Sequence, residues 1–94
     1  MPITIRDTIM ARYSWQFQRG RKIDNCVPTQ WLPVVEELCM SIEETIPVAD
    51  RPAFYWLDIK EKHGALAVDY VAPSNMASKI EALVAAAIVR IPLL

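Results

Sequence analysis

Seven prolines, at positions 2, 28, 33, 47, 52, 73 and 92, stand against only two glycines and set the limits on what this chain folds into. Proline locks φ and donates no backbone hydrogen bond, so each one marks an end, a first turn or a break. The chain is thereby cut into short blocks, and the period of the apolar residues inside each block names its element. Gly20 and Gly64 are too far apart to build a glycine-rich phosphate cradle, which excludes P-loop and dinucleotide-binding motifs.

The first block predicts a helix over residues 4–19. Thr4-Ile5-Arg6-Asp7 has capping-box spacing, with Asp in the usual Glu position. Ile5, Ile9, Tyr13 and Phe17 recur every four residues and share one helical face, and Gly20 stands where a left-handed cap belongs. Ile3-Thr4-Ile5 equally fits the start of a strand. A polar connector follows over residues 20–29.

The next block, Trp31 to Ile46, is an amphipathic helix: Trp31, Val34, Val35, Leu38, Ile42 and Ile46 form its apolar stripe, with Cys39 at the margin. Pro33 fits the first turn, where a missing N–H costs least, and Pro47 ends the helix. Glu36, Glu37, Glu43 and Glu44 lie off the stripe, and the helix contains no Lys or Arg to pair with them. That side is either solvated or turned toward a cationic partner.

Over residues 53–71 the period changes to two, the signature of strands. Tyr55, Leu57 and Ile59 alternate on one side, with Phe54, Trp56 and Asp58 on the other. A second run places Leu66, Val68 and Tyr70 on one face. Matching the two apolar faces pairs Ile59 with Leu66, Leu57 with Val68 and Tyr55 with Tyr70, across a loop of Glu61-Lys62-His63-Gly64. In this register the helices pack on the Tyr55/Leu57/Ile59 face, and Phe54 and Trp56 on the other face are either covered by a helix as well or left outward as aromatic anchors for a partner. Pro73 breaks the second strand, Ser74 or Asn75 caps a last helix, and Met76, Ile80, Leu83, Ala87 and Ile91 form its stripe. Residues 82–89 are all apolar, more than one buried face requires, so part of this helix is a candidate contact surface.

The expected architecture is a single α+β domain over residues 1–94, in the order helix, helix, β-hairpin, helix, with the helices on one face of the hairpin. Its composition, 53% hydrophobic and 22% charged, excludes intrinsic disorder. Ten Lys+Arg against eleven Asp+Glu leave no net field to draw the chain to nucleic acid or membrane. No apolar run approaches the roughly eighteen residues a membrane span needs. Two cysteines without a signal-like hydrophobic start point to a reducing, cytoplasmic setting.

Few side chains suggest chemistry. Cys26, Cys39 and His63 are scattered and lack a CxxC pairing, so no metal site and no cofactor are expected. Asp58 and Asp69 share a hairpin face, but carboxylates need an enclosing pocket to become an acid–base pair. No catalytic residue is assigned, and the chain is expected not to be an enzyme. Residues 1–25 are basic, with Arg6, Arg12, Arg19, Arg21 and Lys22 interleaved with Tyr13, Trp15 and Phe17. This pattern gives the alternative of a nucleic-acid-binding accessory protein.

The segment Ile59-Lys60-Glu61-Lys62-His63-Gly64-Ala65-Leu66 resembles the I-K-E-K-F-G-x-L-R-F-Y signature of a family of small proteins from phages, prophages and proteobacteria. In that family the signature follows a helix of the form G-W-x-x-L-(I/V)-x-x-L-C-x-x-I, to which Trp31, Val34, Val35, Leu38, Cys39 and Ile42 are similar. Ile80, Leu83 and Val84 resemble its final helix, so the likeness spans about residues 30–88 and excludes 1–25. His63 replaces the usual Phe, and Ala67-Val68 the Arg-Phe pair. Many members end in Cys-x-x-Cys-Gly, which this sequence lacks. The resemblance implies a phage or prophage setting and no catalytic residues. Together with the acidic helix, it leads to the expectation of a protein-binding module, an inhibitor or immunity/anti-defence protein directed at a toxin, nuclease or defence effector. Glu36, Glu37, Glu43 and Glu44 would steer the partner, and Phe54 and Trp56 would anchor it. A self-associating homodimer through the last helix is the other alternative.

Overall fold

A computed structural model describes residues 4–92. In chain order its elements are α1 (Ile5–Arg12), α2 (Leu32–Thr45), the strands β1 (Tyr55–Lys62) and β2 (Ala65–Val71), and α3 (Ala77–Arg90). Short 3-10 segments at Ser14–Phe17, Thr29–Trp31 and Val48–Ala53 lie between them. This is the expected α+β order.

The Thr4 hydroxyl accepts the Asp7 N–H at 3.1 Å, and the Asp7 carboxylate accepts the Thr4 N–H, closing the capping box. Thr4 therefore starts a helix, while Ile3 lies outside the described residues. The helix is shorter than its periodicity predicts. It stops at Tyr13 and tightens into the 3-10 turn Ser14–Phe17, with the Gln16 N–H on the Tyr13 carbonyl at 2.8 Å. A 3-10 turn aligns positions three apart, so Gln16 follows Tyr13 into the core, where Phe17 also lies. Ile9 is buried but Ile5 is exposed, so the face works only from its second turn onward.

The connector is more ordered than its polarity suggests. Ile23 pairs in parallel with Ile59 in an isolated bridge, and the Asp24 N–H donates to the Ile59 carbonyl at 2.9 Å. Ile23 and Val27 are both buried. The Asp24 carboxylate accepts the Cys26 N–H at 2.8 Å, and this bond holds the carboxyl below its ordinary range.

α2 forms the middle of the domain. Trp31, Val35, Leu38, Cys39, Ile42 and Ile46 are buried, as the stripe predicts; Leu32, outside the stripe, is buried too, and Val34 is half-buried against the core. α3 packs antiparallel beside it: the Glu37–Arg90 ion pair and the Trp31 indole, which donates to the Pro92 carbonyl at 3.1 Å, join the start of α2 to the end of α3. Neither Ser74 nor Asn75 caps α3. The cap position is Met76, with no side-chain hydrogen bond. Ile80, Val84 and Ala87 are its buried residues, with Met76, Leu83 and Ile91 at the margins.

The hairpin corrects the expected register. Its turn has two residues, not four: Lys62 pairs with Ala65, and His63 and Gly64 both adopt positive φ, 55° and 81°. Positive φ at both central positions is the requirement of a type I′ turn, whose twist suits a two-residue hairpin. From there Ile59 pairs with Val68 and Lys60 with Ala67, until Leu57 is inserted as an extra residue between Asp58↔Asp69 and Trp56↔Tyr70. A bulge of one residue reverses which side of the strand faces inward. Beyond it, Trp56 and Phe54 point inward with Ile59 and Leu66, while Tyr55 and Leu57 are only half-buried. The helices thus cover a Phe54/Trp56/Ile59/Leu66 face, with Val68 and Tyr70 at its edge, rather than the Tyr55/Leu57/Ile59 face.

Candidate functional site

Phe54 and Trp56 are 0% and 1% exposed, so neither anchors a partner. The bulge turns them into an aromatic cluster instead. Phe54 meets Trp56 and Trp15 edge-on, at ring distances of 5.3 and 6.0 Å, and stacks on Tyr70 at 5.9 Å. Trp56 buries more apolar surface than Leu57, and Phe54 lacks the hydroxyl that Tyr55 would have to bury, which favours the bulged register.

The polar tip of Trp56 is satisfied by Gln16, the one buried polar residue among those described. The Gln16 side chain accepts the Trp56 indole N–H at 3.0 Å and donates to the Cys39 carbonyl at 2.8 Å. This chain of bonds ties the 3-10 turn after α1 to both β1 and α2. Cys39 lies beside it, and burial pushes its thiol up to about 12, so it stays protonated and unreactive at neutral pH. Cys26 is exposed, and its sulfur takes the Glu61 N–H at 3.4 Å. His63 sits on the hairpin turn, and no three metal-ligating side chains converge among the described residues. Asp58 and Asp69 face each other across the strands, and Lys60 pairs with Asp58 at 3.3 Å. The described residues enclose no ligand-sized cavity.

The four glutamates of α2 are not one open acidic face. Glu36 pairs with Arg12 of α1 at 3.0 Å, Glu37 pairs with Arg90 of α3, and Glu43 accepts the Trp15 indole N–H at 3.4 Å. Glu44 alone is exposed and makes no ion pair among the described residues. The missing partners sit on neighbouring helices, where the sequence of α2 cannot show them.

Part of the basic quarter is engaged within the chain in the same way. The Arg6 guanidinium donates to the Val27 and Asn25 carbonyls, Arg12 holds Glu36, and Arg19 lies over the Tyr55 ring at 4.5 Å. Arg21 and Lys22 are exposed on the connector. Of the five cations, three are thus tied into the fold rather than aligned on one phosphate-binding face. The interleaved aromatics are no better placed for stacking: Tyr13 and Phe17 are buried, and Trp15 is half-buried beneath Arg51.

The outward face of α3 remains. Ala82, Ala85, Ala86 and Val89 are exposed, with Val89 at 84% and Ile88 on the flank at 37%. These positions lie opposite Ile80, Val84 and Ala87 on a helix of 3.6 residues per turn. The apolar run at residues 82–89 signalled this surface, and the structure separates its packed half from its open half. α3 has 14 residues, and no described helix is long and apolar enough to cross a membrane.

Set against known protein families, curated proteins and solved structures, the chain matches none of them.

Proposed function

We propose that this is a non-enzymatic protein-binding module whose contact surface is the outward face of α3. The observation that carries this reading is Val89, an apolar side chain 84% exposed at the C-terminal end of an uncharged patch formed with Ala82, Ala85 and Ala86. Among the described residues this apolar face is left open, while two tryptophans and a phenylalanine are buried almost completely. The small side chains let a partner's backbone approach closely, while Glu81 and Arg90 at the borders supply a polar rim. The setting we propose is cytoplasmic, as an inhibitor or immunity-type partner of a toxin or defence effector of phage or prophage origin. The likeness of Ile59–Leu66 and of the α2 stripe to small phage-associated proteins supports it, as do two unpaired thiols. In this reading electrostatic steering is secondary, because exposed ion pairs such as Arg12–Glu36 already neutralise much of the acid on α2.

The test is affinity capture from host cells with wild type and with Ala85→Glu/Val89→Glu, after urea unfolding has shown that the two are equally stable. A partner held by wild type and lost by the double variant supports the reading. Equal capture by both overturns it. A mass of two chains for the purified wild type, reduced to one in the variant, would identify a second copy as the occupant of the face in place of a foreign protein.

A further inference from the structure

We draw no further inference here: the strongest candidate, the outward face of α3 around Val89, belongs to the surface already described, and nothing in the structure shows which partner covers it.

Discussion

The indole N–H of Trp56 donates to the Gln16 side-chain oxygen at 3.0 Å, and both residues are completely or almost completely withdrawn from solvent. Because the same amide donates to the Cys39 carbonyl, one glutamine satisfies two elements that the hydrophobic effect alone would hold without specifying their angle. Gln16→Leu keeps the volume and leaves the indole donor buried without a partner. It should cost about 1–3 kcal/mol in urea unfolding. Trp56→Phe in the Gln16→Leu background should then cost less than in wild type, since the orphaned donor is gone. Strictly additive costs would show that the bond contributes nothing.

Side-chain burial at the bulge gives an ordering that strict alternation along β1 would invert. Phe54→Ala and Trp56→Ala should each lose about 3–5 kcal/mol, and Leu38→Ala about 2–5 kcal/mol. Leu57→Ala should be milder than any of these, because Leu57 is the half-buried extra residue. A Leu57→Ala cost equal to that of Trp56→Ala would contradict the register.

These positions also show what the sequence carried and what it hid. The hairpin is legible from its period of two, and α2 from a stripe that is buried almost throughout. The register is not, because one inserted residue leaves the composition of the strand unchanged while reversing its faces. His63-Gly64 lacks the Asn-Gly or Asp-Gly signal of a two-residue turn, so a longer loop fits the sequence equally well. Gln16 is hidden because a polar side chain on a helical pattern is ordinarily assigned to solvent. Only the tightening after Tyr13 takes it inward. The open face of α3 is foreshadowed by its apolar run, whereas the pairing of Glu36 and Glu37 depends on neighbours distant in sequence.

Gly64 has a φ of +81°, and a Cβ added there would meet nothing within 4 Å. Gly64→Ala should therefore cost about 1–2 kcal/mol from backbone conformation alone. Chemical denaturation measures this directly. An unchanged midpoint would mean that the turn does not require the left-handed conformation.

The two thiols should differ sharply in a labelling experiment. In native protein an aromatic disulfide reagent should modify Cys26 alone, and Cys39 should react only after denaturant is added. Burial raises the Cys39 thiol from an ordinary 9.0 to about 12, so the unfolded chain loses its proton first as pH rises. That contribution to stability is full below 9.0 and is lost as pH climbs toward 12. The buried Tyr13 and half-buried Tyr70 hydroxyls are shifted upward by burial and act in the same direction. Stability that rises between pH 9 and 12 would contradict this burial.

Glu36→Lys and Glu37→Lys break ion pairs that are substantially exposed on both sides, so each should cost no more than about 1 kcal/mol. With α3 as the contact surface, both variants should also leave partner capture nearly intact. Loss of capture without loss of stability would return the contact to the acidic side of α2.

The most direct test of the α3 surface is photo-crosslinking in host cells, with a benzophenone amino acid at Val89 and, as control, at Lys62 on the end of β1. A contact through α3 predicts a discrete adduct from position 89 that disappears when Ala85→Glu is added, and none from position 62. No adduct at position 89, or the same adduct from both positions, would contradict it.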